Sequence, residues 1–274
     1  MTVTTQVSQA VDHPTRYAIS ADHMHQDKAI GLAETYLDTI IDSIKNQPRS
    51  LQKRIGPSEM GNPCKRALLH KLNGDDEPER TDVPWAPAVG SAVHSWLDTV
   101  FTKASEPGGR EAERWLCEER VTVGHVGGTP ITGSTDLYDR WSGSVIDHKN
   151  IGSSSRKKYR AHGPSETYRR QAHLYGKGWE DDGWPVSLVV IAFLPREGIF
   201  TDTYIWSEPY SRQVAEETLA TVNSLETLRT QLGITQALSL YSECDDRWCD
   251  WCRQQERTPS PSTTTPEQPA LSIT

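Results

Sequence analysis

The sequence predicts an α/β (α+β) domain: a central mixed β-sheet flanked by helices, closed by a C-terminal group of cysteines. Three observations carry that expectation. Helical periodicity runs through two segments before Phe101, and the period shortens towards two between Arg120 and Ile151. Helix and strand patterns then alternate up to Leu232, and Cys244, Cys249 and Cys252 crowd together after the last of them.

Each element has its own signal. Ile30, Ala33, Tyr36, Leu37, Ile40, Ile41 and Ile44 recur at steps of three and four, which predicts an amphipathic helix ending near Pro48 and covering a core face. Asn62 as N-cap and Pro63 at the first helical position predict a second helix, stopped by Asn73-Gly74, with Cys64 at its entrance. The acidic, proline-rich segment from Asp75 to Pro87 reads as a loop. Gly90 to Phe101 resumes helical spacing and carries His94. Val121 and Val123, then Ile131 to Tyr138, then Val145 to Ile151 read as consecutive, antiparallel strands separated by Gly127-Gly128 and Trp141-Ser142-Gly143. A helix from Ser165 to Glu180, strands over Ser187–Leu194 and Ile199–Trp206, and a long helix from Pro209 to Leu232 complete the order.

The 274 residues suit one main domain over residues 27–253, between a polar arm (1–26) and a Pro/Ser/Thr-rich tail (254–274), both read as disordered. A net charge of −8 excludes uniform attraction to nucleic acid or to an anionic membrane. With neither an apolar run of membrane length nor a secretory signal pattern, the expectation is a protein of the reducing cytoplasm without membrane partners. Five cysteines, three in Cys244-x4-Cys249-x2-Cys252, then argue for metal or cluster ligation over disulfides. Cys117 reads as a small buried apolar residue, and Trp248 and Trp251 as shields of the cysteine site.

Alternation along a strand projects Asp147 and Lys149 to one side, their Cα atoms ~6.6 Å apart. A carboxylate and an ammonium so placed suit a divalent ion and charge stabilisation at a phosphate, or merely form an ion pair at a strand edge. A hairpin would set Asp136, read as the end of the strand before, beside Asp147. Two facing carboxylates repel unless a cation lies between them. His94 reads either as a core histidine or as an imidazole ligand that would suit manganese or magnesium. Gln171 and Tyr175, one helical turn apart, share a face and read either as positioning a nucleotide together with Arg170 or as a solvent-edge glutamine beside a packed tyrosine. From Lys149 to Arg170 the chain carries Lys149, Arg156, Lys157, Lys158, Arg160, Arg169 and Arg170 against Glu166 alone, a net +6 that suits a phosphate backbone or a solvated loop.

Taken in order, Gly90-x-x-x-His94, Gly133-x-x-Asp136, Asp147-x-Lys149 and Gln171-x-x-x-Tyr175 resemble the successive motifs of the RecB-like exonuclease branch of the PD-(D/E)XK nuclease superfamily. Cys64 before the first motif, with Cys244, Cys249 and Cys252 after the last, extends the resemblance to the cluster-bearing nucleases of CRISPR adaptation and the AddB nuclease domain. It spans Ser58 to Cys252. Thr135 stands where the family often has proline, and the x4-then-x2 cysteine spacing departs from the more usual pattern.

The resemblance implies a restriction-endonuclease-like core and metal-dependent hydrolysis of DNA with Mg²⁺ or Mn²⁺. It makes His94, Asp136, Asp147 and the backbone carbonyl of His148 metal ligands, and Lys149 the catalytic lysine. Gln171 and Tyr175 would complete the site and contact DNA. It also implies a 4Fe-4S cluster on the four cysteines, structural zinc being the alternative that four thiolates equally satisfy. Activity on single-stranded DNA or DNA ends, often from the 5′ end, is the further expectation. No G-x-x-x-x-G-K-[ST] phosphate loop is present, so a separate helicase or recombination partner, or a stand-alone phage-type exonuclease, fits the chain. A non-catalytic DNA-end-binding or assembly module is the rival class.

Overall fold

The computed structural model describes residues 26–46, 54–78, 83–109, 111–246 and 249–252. The expected arm before Gln26, the tail from residue 253 onward and Trp248 lie outside the described residues.

The elements run α1 (Gln26–Lys45), α2 (Pro57–Met60), α3 (Lys65–Asn73), α4 (Trp85–Ala104), β1 (Trp115–Val126), β2 (Thr129–Asp139), β3 (Ser144–Ile151), α5 (Ser153–His162), α6 (Glu166–Asp181), β4 (Leu188–Pro195), β5 (Tyr204–Pro209), α7 (Arg212–Leu232) and α8 (Ile234–Ser239). The five strands lie in the sheet in sequence order, β1-β2-β3-β4-β5. The pairs β1–β2, β2–β3 and β4–β5 are antiparallel, and β3–β4 is parallel. A parallel pair cannot be joined by a tight turn, and α5 with α6 supplies the crossover. The predicted mixed sheet flanked by helices is therefore the observed architecture.

The main core joins the sheet to α3, α6 and α7 through Leu68, Leu69, Val121, Val123, Tyr138, Leu174, Trp179 and Val222. A second cluster under α5 and α6 contains Ile151, Ala172, Val189, Ile191 and Phe193. Trp179 stacks on Tyr138 at 4.4 Å and donates its Nε1 hydrogen to the buried Thr135 Oγ1. That bond ties α6 to β2 one residue from Asp136.

Several expected boundaries move for physical reasons. The second helix begins after Cys64, not Asn62: the Cys64 sulfur caps it by accepting from Ala67 N, and Asn62 Oδ1 accepts from Cys64 N. Helix α4 starts at Trp85, because Pro87 in its first turn lacks only an N–H that has no intrahelical partner there. Strand β2 does not end at Asp136 but continues to Asp139. The segment Ile199–Trp206 opens with a short 3₁₀ turn at Phe200–Asp202, and the strand is Tyr204–Pro209; Ile199 and Phe200, whose apolar character suggested strand, are 65% and 70% exposed. The basic stretch after Ile151 is helix α5 rather than loop. Of the α1 stripe Ile41 and Ile44 are buried, Ile30, Ala33, Leu37 and Ile40 are half-buried, and Tyr36 is 63% exposed. Cys117 is half-buried, not buried. No helix among the described residues is long and apolar enough to cross a membrane.

Candidate active site

The turn joining β2 to β3 fixes the first part of the site. Asp139, 3% exposed, accepts the Arg114 guanidinium through two bonds of 2.8 and 2.7 Å, and also accepts from Trp141 N and Ser142 Oγ. From this anchored turn the register Asp139↔Ser144, Tyr138↔Val145 and Leu137↔Ile146 brings Asp136 level with Asp147. The backbone ladder stops at Leu137↔Ile146. Beyond it the Asp136 carboxylate takes over, its Oδ2 accepting from His148 N at 2.6 Å. A side chain thus replaces a strand bond, and the two strands part where the functional groups collect.

Helix α4 brings His94 into this gap. Its Nε2 donates to the His148 carbonyl oxygen at 3.0 Å, and its Nδ1 lies 3.3 Å from Asp136 Oδ1. With Nε2 protonated for the carbonyl, only a protonated Nδ1 can face a carboxylate favourably. The Asp136 hydrogen bond accordingly raises the His94 pKa against the lowering effect of burial. Burial would push the Asp136 carboxyl up, but the His94 contacts, Lys149 and the His148 N–H hold it below its usual value.

Asp147 is 2% exposed. Its Oδ2 lies 2.7 Å from Lys149 Nζ, yet at an angle that makes no hydrogen bond, so a buried carboxylate oxygen is left without one. Burial, opposed by Lys149 and reinforced by Asp136, raises its pKa to about 6. The ammonium of Lys149 is held from two sides. It donates to Gln171 Oε1 at 3.1 Å and sits 4.9 Å above the Tyr168 ring. Tyr168 was not among the residues the sequence marked, although it precedes Gln171 by three and Tyr175 by seven on one helical face.

Asp136, Asp147, Lys149, Gln171 and Tyr175 all line one cavity of about 600 Å³, with His94 at its edge. Gly133 is needed there: a Cβ would come 2.9 Å from Pro57 Cγ and 3.0 Å from the Tyr175 hydroxyl. Gly90 is not, since a Cβ at that position meets nothing within 4 Å. The His148 ring is buried and stacks near Phe101, so only its backbone carbonyl reaches the site. Glu118 on β1 is a further carboxylate of this cavity, and its sequence context, Cys117-Glu118-Glu119-Arg120, gives no sign of it.

The donor set suits a hard divalent cation. Two acceptors, Asp136 Oδ1 and the His148 carbonyl, converge on one imidazole, and the orphaned Asp147 oxygen lines the same cavity. In each place a positive group offsets negative donors, His94 at one and Lys149 at the other.

The basic residues are more dispersed. Arg156 pairs with Asp202, Arg169 with Glu208 and Arg170 with Glu166. Arg160 lies over the Tyr204 ring, and Lys157 and Lys158 are exposed on α5.

The four cysteines Cys64, Cys244, Cys249 and Cys252 come together, with all four sulfurs within 4.8 Å of one another. Cys64 Sγ lies 3.6 Å from that of Cys252 and 3.8 Å from that of Cys249, far beyond disulfide length. Burial raises the Cys64 thiol and pushes Cys249 up to about 11. Arg66 Nη1 donates to the carbonyls of Leu238 and Tyr241, drawing the C-terminal segment onto α3. Trp251 stacks on His70 at 4.2 Å, closing one side of the thiol group. Such a constellation can bind a metal.

No protein-family model matches the chain, and no curated protein matches it in sequence. Among solved structures it is similar to an alkaline exonuclease from Laribacter hongkongensis, with TM-score 0.46 and 9% identity over 69% of this chain and 95% of that one. The same exonuclease in complex with dAMP gives 0.44 and 11% over 69% and 95%. A phage-related exonuclease from Haemophilus somnus 129PT gives 0.40 and 11% over 70% and 87%.

Proposed function

We propose that the chain is a metal-dependent DNA exonuclease, acting on single-stranded DNA or DNA ends in recombination, repair or replication. One observation carries the reading: a buried carboxylate, Asp147, with an unbonded oxygen, set in a cavity beside Asp136, His94 and a lysine whose ammonium is aimed by Gln171 and Tyr168. An ion pair with a purely structural role would not be expected beside a cavity lined by a second carboxylate and an imidazole.

His94, Asp136, Asp147 and the His148 carbonyl would hold Mg²⁺ or Mn²⁺. When bound, such an ion lowers the pKa of a water and polarises a scissile phosphate. The chain's own residues do the rest. Asp136 keeps its charge through His94, Lys149 and the His148 N–H and so remains a donor. Lys149, fixed by the Gln171 amide oxygen and the Tyr168 ring, places a positive charge where negative charge grows on the phosphate. Tyr175 and Gln171 wall the cavity and position the strand. Lys157, Lys158 and Arg160 on α5 provide phosphate contacts along the approach, with Arg156, Arg169 and Arg170 exchanging their present acid partners for the backbone.

The four cysteines are assigned a 4Fe-4S cluster, with structural zinc as the competing occupant. Colour separates them, since an iron-sulfur protein is brown and zinc absorbs no visible light. A helicase or recombination partner would supply unwound strand.

The test is digestion of single-stranded DNA labelled separately at each end, with Mn²⁺ or Mg²⁺ against EDTA, by anaerobically purified protein beside Asp147→Ala. Metal-dependent shortening by the wild type alone is expected. DNA that is bound but never shortened would sink the nuclease reading in favour of a binding module.

A further inference from the structure

The loop that joins β4 to β5 starts beside the carboxylate centre. A second cavity, of about 640 Å³, shares His94 with the first, and Asn150, Tyr168 and Arg196 line it. Arg196 is the first residue of the loop.

The loop is fastened to the end of β3 and to α5 along its length. Arg196 N donates to the Ile151 carbonyl at 2.9 Å, and Arg196 Nη2 to the Asn150 carbonyl at 3.0 Å. Glu197 Oε1 accepts from Ser153 N, Asp202 Oδ2 accepts from Arg156 Nη2, and Asp202 N donates to the Ile199 carbonyl. Yet this tethered loop turns two consecutive large apolar side chains, Ile199 and Phe200, towards solvent. Ordering them costs conformational entropy that no core contact returns.

The groups around Phe200 decide what could cover it. Arg160 Nη2 reaches the Asp202 carbonyl at 3.5 Å, with its guanidinium over the Tyr204 ring, and Lys157 stands exposed about one turn earlier on α5. Arg196 is exposed on the cavity side of the loop. An apolar protein surface laid on Ile199 and Phe200 would desolvate these cations without pairing them. A single-stranded polynucleotide satisfies both kinds of group: its phosphates meet the cations, and the π-face of an unpaired base meets the ring.

We infer that Ile199 and Phe200 form a base-stacking platform for single-stranded DNA, flanked by Arg196 and Arg160, over which a strand held in the carboxylate centre continues. The inference rests on the nuclease reading and deepens it, because it names unpaired bases as well as phosphates as what the chain grips outside the cavity. Duplex bases are already stacked on one another, so the platform selects single strands. Every base has a π-face, so it reads no sequence.

The experiment is equilibrium binding of two labelled single strands of equal length, one of thymidylate and one abasic, to full-length protein without added divalent ion. Phe200→Ala is expected to weaken thymidylate binding at least about five-fold and to leave the affinity for the abasic strand unchanged. Phe200→Trp should bind thymidylate like the wild type, and all variants should melt alike because the side chain is exposed. Wild-type thymidylate affinity in Phe200→Ala, or an equal loss on both strands, overturns the inference. So does a wild-type dimer in sedimentation that Phe200→Ala dissociates, which would make the patch an interface between copies. If the wild type still shortens DNA with Mn²⁺ in any of these cases, only the platform falls and the nuclease reading stands. Protein that neither binds nor shortens either strand overturns both.

Discussion

The carboxylate centre and the cysteine centre are both clusters of potential ligands, but they are built on opposite plans. Asp136 and Asp147 are level on neighbouring strands, braced by the Asp139–Arg114 turn, and their charges are already met by His94 and Lys149. That centre is framed by the fold. The four thiols come from the entrance of α3 and from the segment after α8, and Lys71 lines the same pocket as Cys64, Cys244 and Cys249. Burial raises Cys64 and Cys249, while at Cys252 hydrogen bonds from the neighbouring cysteines outweigh burial and lower it, so two of the thiols resist the deprotonation that a metal needs and one favours it. If a metal fills the second centre it would hold the fold, while the first is held by the fold.

Breaking the cysteine centre should have the largest effect on stability. Cys249→Ser is expected to cost about 3–5 kcal/mol in denaturant unfolding, because a metal bound only in the folded state contributes its binding energy to folding. If it unfolds like the wild type, the thiol group holds nothing. Breaking the carboxylate centre should reverse the pattern. Asp147→Ala is expected to lose about 10²–10³-fold in single-turnover DNA cleavage while melting at or above the wild-type temperature, since it deletes a buried charge with an orphaned oxygen.

A smaller effect is expected at the turn that braces the carboxylate centre. Asp139→Asn should cost about 2 kcal/mol, because Arg114 then faces a neutral group. Its pH signature is specific. Burial alone would raise the Asp139 carboxyl, but the Arg114 fork, Ser142 and Trp141 N–H hold it below 3.8. The unfolded chain then takes up the proton first, so this contribution is complete above pH 3.8 and is lost as pH falls through the folded value. Acid titration of the unfolding free energy should show that loss in the wild type and not in Asp139→Asn. The mildest change tests whether α5 serves the carboxylate centre: replacing Lys157 and Lys158 by alanine should flatten the salt dependence of single-stranded DNA affinity by a slope of about 1.4 and spare cleavage of bound DNA.

Much of this arrangement was legible because strand alternation and hairpin pairing are local rules. They placed Asp147 with Lys149, and Asp136 level with Asp147. The cysteine spacing likewise pointed to ligation, though only the fold could bring Cys64 to its three partners. What escaped had tertiary causes. Glu118 has a positive φ inside a strand, where its sequence gives no turn signal. Helix α5 has few apolar residues to mark a period, so its charges read as a loop. Pro87 read as a breaker and hid the first turn of α4, while the exposed Ile199 and Phe200 imitated a strand that begins later.

The distance along the chain between Cys64 and its partners has a consequence during synthesis. The strands and helices that carry His94, Asp136, Asp147 and Lys149 have all been made before Cys244 leaves the ribosome. A chain cut short before Cys249 would keep the whole carboxylate centre yet lack half of the thiol set that the Arg66 contacts draw onto α3. Whatever fills the four cysteines can therefore meet its full ligand set only after Cys252 has been made, later than every element of the carboxylate centre.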